Sequence, residues 1–184
     1  MRINKLNYID VRSEIKNGDI LMYKGRELIS KIIGLFTHSE YSHAGIAVWW
    51  NKRLMVLEAV GKGVLVTPLS RNICHYKGNV ELFTYDGEIP EDKRIDMVIT
   101  AQEELGKSYA RWEIIWFAIK LLFKSKMDVP DTKSPITRFF CSQYVSMIYE
   151  SIGIDLVIEK ANKYTSPDDI VRSKKTIKKG IFEK

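Results

Sequence analysis

Five runs between residues 18 and 86 are rich in aliphatic, β-branched or aromatic residues and are separated by glycine, asparagine or charged clusters. They read DILMYK (19–24), HAGIAVWW (43–50), RLMVLEAV (53–60), GVLVTPL (63–69) and VELFTYD (80–86). Their length and composition predict strands of an antiparallel sheet. RELISKIIGLF (26–36) has helical spacing instead, with Leu28, Ile32 and Leu35 on one side. From residue 91 the pattern turns helical. EDKRIDMVITAQEELGK (91–107) opens on acids, which suit a helix N-terminus, and closes on Gly106. WEIIWFAIKLLF (112–123) predicts a further helix before a loop with Pro130 and Pro135. In RFFCSQYVSMIYESIGI (138–154) an apolar run leads into a helix with Val145, Ile148 and Ile152 as its stripe. TSPDDIVRS (165–173) predicts a short last helix, with Ser166 as N-cap, Pro167 at its first position and Asp168 and Asp169 in its first turn. Strands segregated from helices predict an α+β domain: an antiparallel sheet of about five strands packed against helices, one of them bearing Cys141.

Composition narrows the class. The chain has 184 residues, 45% of them hydrophobic and 28% charged, which suits one globular domain with a core over 17–170. Two cysteines, Cys74 and Cys141, are too few for a disulfide framework. The first residues lack the apolar run of a signal peptide, so a cytoplasmic or membrane-peripheral location is expected. The 112–123 segment contains Glu113 and Lys120 and falls short of the roughly 20 apolar residues that span a bilayer. The net charge of +6 is concentrated in a tail, 171–184, with Arg172, Lys174, Lys175, Lys178 and Lys179 close together. This reads as a solvated terminus that, with 112–123, is also the candidate for membrane-surface contact. No aromatic residues suited to stacking bases are interleaved with these charges, so no nucleic-acid partner is expected.

Cys141 stands where a helix begins, a position that favours a thiolate. Burial of a small hydrophobe would equally account for it, and only a base elsewhere decides between the two. His38 lies in a polar loop and His75 in the charged RNICHYKGN, both read as surface residues. Cys74 and His75 are adjacent, which is neither metal-ligand nor catalytic spacing, so no metal or cofactor is expected. His43 opens a strand, and Glu58 sits among apolar neighbours in the next, where a lone carboxylate is costly. If Asn51-Lys52 is a two-residue hairpin turn, Trp50 pairs with Arg53 and His43 falls opposite Val60. Glu58 is then one diagonal step from His43 on the same face, roughly 7–8 Å away along the backbone. A turn one residue longer or shorter would put Glu58 on the other face.

GDIL (18–21), SHAGIAV (42–48) and VLEA (56–59) resemble three consecutive blocks of the NlpC/P60 papain-like cysteine peptidases. LGKSYARW (105–112) resembles the family's Gly-x-x-Tyr block, and FFCSQYVSMIYESIGI (139–154) its Cys-Ser helix. The Cys block comes last here rather than first. That order resembles the circularly permuted branch, which includes YiiX-like and poxvirus-type proteins and is related to lecithin:retinol acyltransferase. The resemblance implies Cys141 as nucleophile, His43 as general base and Glu58 as the residue orienting His43. It also implies Tyr109 beside the cysteine, donating to an oxyanion or touching substrate, with a backbone N–H of Cys141 or Ser142 as a further donor. The implied chemistry is acyl transfer through a thioester, on a cell-wall peptide or other amide. Ala110 and Arg111 depart from the family's usual Asp or Trp-Gly-Gly, and 112–123 lies in a long insertion before Cys141. Both departures leave a lipid ester open as substrate, for hydrolysis or acyl transfer. A binding module that keeps the fold without catalysis is the rival from another class.

Overall fold

The computed structural model describes residues 4–25, 40–60, 63–106, 141–158 and 165–184. All five predicted strands form: β2 (Ile20–Gly25), β3 (His43–Trp50), β4 (Arg53–Val60), β5 (Gly63–Pro68) and β6 (Gly78–Tyr85). Two more complete the sheet among the described residues, β1 (Lys5–Leu6) and β7 (Thr176–Phe182), in the order β1-β7-β6-β2-β3-β4-β5. Every pairing is antiparallel except that of β1 with β7.

β7 corrects the reading of the C-terminus as a solvated basic tail. Ile181 pairs with Glu81 on one side and Lys5 on the other, and Phe182 is buried. The lysines misled because they occupy the exposed positions of a strand, and one of them has a buried counter-charge. Lys178 Nζ lies 2.7 Å from Glu81, whose side chain is fully buried on β6. Gly180 lets the N-terminal segment close in, since a Cβ there would stand 2.5 Å from the Asn4 carbonyl oxygen.

Helices cover both faces of the sheet. On one face lie α3 (Glu91–Glu103), α4 (Cys141–Glu150) and α5 (Pro167–Arg172), which bury Met97, Ala101, Tyr144, Val145, Ile148 and Ile170 against Ile20, Met22, Ile46 and Leu57. On the other, α1 (Tyr8–Val11) and α2 (Leu69–His75) pack Val11, Leu69 and Ile73 around Leu21, Tyr23, Val56 and Leu82. The alternation of inward positions along β2 and β4 therefore serves two cores, as expected of strands buried on both sides. α5 has the predicted cap. Ser166 Oγ accepts from the Asp169 backbone N–H and the Asp169 carboxylate accepts from the Ser166 N–H, a reciprocal capping box. The predicted helices at 26–36 and 112–123 lie outside the described residues. α2 takes in Leu69, read as the end of a strand, and part of the charged stretch RNICHYKGN; Leu69 and Ile73, four apart, supply the apolar side that the polar residues between them obscure.

The Gly-Asp pair at 18–19 ties the layers together. Gly18 has φ +91, and a Cβ there would lie 2.7 Å from Met97 Cε of α3. Asp19 is buried and accepts from the Lys16 backbone N–H at 2.9 Å and from Thr84 Oγ1 at 2.8 Å. Tyr149, in the last turn of α4, donates its hydroxyl to the Gly18 carbonyl at 2.6 Å. The helix that begins with Cys141 is thus anchored at its far end to the start of β2. Among the described residues no helix is long and apolar enough to cross a membrane.

Candidate active site

The β3–β4 hairpin sets the register on which the site depends. Asn51 takes φ 56, a left-handed conformation that asparagine tolerates, and Trp50 pairs with Arg53. The ladder runs from there to Ile46–Leu57 and ends. His43 and Glu58 lie beyond that last pair, both on the α2 face, as the two-residue turn predicts. Gly45, two residues after His43, shares its face. A Cβ at Gly45 would stand 2.8 Å from Val56 Cγ2, 3.2 Å from the Leu57 carbonyl oxygen and 3.4 Å from Glu58 Cβ. The missing side chain is what lets β4 bring Glu58 up to the imidazole. His43 Nε2 and Glu58 Oε2 meet at 2.8 Å, with both side chains mostly buried.

Cys141 arrives from the opposite face, at the first residue of α4, and is buried. Its sulfur shares a hydrogen bond with His43, and with Nε2 engaged by Glu58 the ring nitrogen left for it is Nδ1. The backbone N–H groups of Ala44 and Ser142 also donate to the sulfur. Ala44 lies past the end of the β3–β4 ladder. The end of the ladder thus leaves the Ala44 amide able to address the thiol.

The charges follow from this geometry. Burial alone would push the Cys141 thiol up, but the His43 imidazolium, its hydrogen bond and the two backbone donors outweigh burial and hold it below its ordinary value. Burial alone would push His43 down. The negative sulfur and its hydrogen bond, followed by the Glu58 hydrogen bond and charge, outweigh it and lift His43 to about 10. Thiolate and imidazolium therefore favour each other, with the proton shared across two coupled groups.

The structure brings Cys141, His43 and Glu58 together as the sequence predicts. Ser142 adjoins them through its backbone, while its hydroxyl donates to the Thr165 carbonyl and so fixes the start of α4. Tyr109 lies outside the described residues. His75 and Cys74 are exposed on α2, away from the buried cluster. Two residues that the sequence did not single out border it. Asn72 Nδ2 donates to Glu58 Oε1 at 3.0 Å, and the Tyr23 ring lies 5.1 Å from the His43 ring, tilted by 46°. The signal for Asn72 was the Leu69–Ile73 spacing, which marks this charged stretch as a helix and aims position 72 at the sheet. Among the described residues no three His, Cys, Asp or Glu side chains are grouped to hold a metal ion.

A buried Cys–His–carboxylate cluster in which the cysteine comes last in the chain is a permuted papain-like arrangement, and residues 14–114 match the family model of the permuted papain-like amidases, YaeF/YiiX, C92 family. The chain belongs to this family. The matched stretch contains His43 and Glu58, and Cys141 follows it. An uncharacterised relative, YiiX of Escherichia coli K12, is 39% identical over 95 residues, covering 51% of this chain and 46% of its own, just under half its length. The crystal structure of YiiX from Escherichia coli O157:H7, described as a metalloprotein, has a TM-score of 0.66 at 26% identity and is similar over 89% of this chain and 95% of that one. Membership of this family, with the likeness to the solved YiiX, settles the permuted papain-like fold.

Proposed function

We propose that the protein is a cysteine amidase whose catalytic group is Cys141, His43 and Glu58, acting on cell-wall-type peptide or isopeptide bonds through a thioester. The observation that carries this reading is the His43 Nε2–Glu58 Oε2 contact of 2.8 Å on a histidine that also shares a hydrogen bond with Cys141. In this mechanism the thiolate attacks the amide carbonyl carbon, and the C=O electron pair moves onto oxygen. A backbone N–H of Cys141 or Ser142 serves as donor to that oxyanion. His43 gives its proton to the leaving nitrogen as the C–N bond breaks, leaving an acyl-thioester on Cys141. Neutral His43 then takes a proton from water, which attacks the thioester, releases the carboxylic acid and restores the ion pair. Glu58 keeps the ring oriented and stabilises the imidazolium throughout.

The related YiiX is described as a metalloprotein. The described residues here do not fit such a site: His43 is engaged at both ring nitrogens, and no three His, Cys, Asp or Glu side chains are grouped to hold a metal ion. The mechanism routes no step through a metal.

Turnover of muropeptides compared with phospholipids under identical conditions tests the substrate class. The amidase reading expects release of a free amine from the muropeptide, abolished by Cys141→Ser. Acyl release from the phospholipid alone would overturn it in favour of lipid chemistry at the same thiol. Cysteine-dependent binding without turnover of either would favour a silent binding module.

A further inference from the structure

Glu58 has two carboxylate oxygens, and the role proposed for it uses one. Oε2 meets His43; Oε1 accepts from Asn72 Nδ2 at 3.0 Å. A carboxylate only accepts, so Asn72 must turn its NH2 toward Glu58 and its carbonyl Oδ1 away. Tyr23 lies close to Asn72. Tyr23 Oη and Asn72 Oδ1 are both buried, and among the described residues neither has a hydrogen-bond partner. A phenol is a donor and an amide oxygen an acceptor, so the pair is complementary. Burial, reinforced by the Glu58 charge, holds the Tyr23 phenol well above its ordinary pKa, which keeps it a donor. The Tyr23 ring is itself fixed, edge-on to Tyr76 with centroids 4.9 Å apart, and it leans against His43 on its other side.

The elements explain the convergence. Tyr23 pairs with His43 across β2–β3, so the two side chains share a face. Asn72 lies on α2 between Leu69 and Ile73, which are buried against that same face. α2 therefore does more than cover the sheet: it delivers an amide to the back of Glu58.

We propose that Asn72 and Tyr23 are positioning residues of this site, Asn72 holding Glu58 so that one oxygen addresses His43, and Tyr23 holding both Asn72 and the imidazole ring. Neither touches the bond to be cleaved; each acts through Glu58 or His43. An asparagine suits this place because it donates to the carboxylate without adding charge. The inference rests on the proposed Cys141–His43–Glu58 site.

The test reads the imidazole directly, without a substrate. The chain has three histidines, so 15N-edited NMR of histidine-labelled protein resolves each ring, and loss of one signal in His43→Ala assigns His43. In the wild type His43 should stay protonated far above the ordinary histidine range. In Asn72→Ala its midpoint should fall by roughly half to one pH unit, a threefold to tenfold loss of proton affinity. In Tyr23→Phe, which keeps the ring and removes only the hydroxyl, the shift should be in the same direction and smaller. A residue that merely packs would leave the midpoint in place at unchanged fold. Should Asn72→Ala not fold, Tyr23→Phe decides alone. Wild-type-like midpoints in every variant that folds overturn the inference while leaving the ion pair standing. A wild-type His43 that titrates like a free histidine overturns the site itself.

Discussion

At the scale of single residues, the protein's chemistry is a question of where one proton sits. Cys141 is held below its ordinary value and His43 is pushed up to about 10, so thiolate and imidazolium coexist between those two limits. The rate of amide cleavage should therefore rise as the pH climbs through the lowered Cys141 titration. It should fall near 10, where His43 loses the proton that the leaving group needs. Glu58→Gln keeps a polar group beside His43 but removes the charge. We expect it to bring the alkaline limb down by about one pH unit and to cut turnover roughly tenfold, read from a full pH–rate profile. Asn72 and Tyr23 belong to the same scale and are expected to act in the same direction, more weakly.

At the scale of elements, the site depends on two strands that part at one end. Gly45 keeps Glu58 within reach of His43 there, since the space beside it has no room for a methyl group. Gly45→Ala sets a Cβ against Val56 and the Leu57 backbone, and overpacking of this kind costs about 1–3 kcal/mol. Urea denaturation should show that loss, and the displaced Glu58 should slow Cys141 alkylation in the folded fraction. Ser166→Ala provides a contrast. Losing the capping box of α5 should cost about 0.5–2 kcal/mol with the pH profile of Cys141 alkylation unchanged. The hairpin was legible in the sequence because its register follows from side-chain alternation once the turn length is assumed. That assumption was the weak step, and Asn51 in the left-handed region satisfies it. α2 was less legible because a seven-residue helix with two buried positions carries almost no periodic signal.

At the scale of the whole molecule, the C-terminus changes meaning. Its lysines suggest a tail free to meet an anionic surface, yet β7 lies between β6 and β1 and supplies a counter-charge to buried Glu81. Glu81 also accepts from the Tyr41 hydroxyl at 2.7 Å, with Lys24 Nζ 3.6 Å away. Removal of residues 174–184 should therefore abolish cooperative unfolding by circular dichroism instead of trimming a dispensable arm. A cooperative melt at the wild-type midpoint would show β7 to be dispensable. Sequence patterning missed β7 because exposed lysines on an outer strand look like solvated charge, and only the long-range pairing with β6 distinguishes them. The order of blocks was legible for the opposite reason: the Gly-Asp, His, Glu and Cys positions are each fixed by a contact. Gly18 meets α3 and α4, Gly45 meets β4, and Cys141 meets Ala44.

The account stands on Cys141 being a thiolate because of His43, and the two cysteines make this measurable within one molecule. Alkylation with iodoacetamide, followed by site-resolved mass spectrometry across pH, reports both at once, exposed Cys74 serving as the reference. Cys141 should label with a midpoint well below the ordinary thiol value of about 8.5, and His43→Ala should raise that midpoint to or above the ordinary value. Identical profiles for Cys74 and Cys141, or a Cys141 profile untouched by His43→Ala, would contradict it.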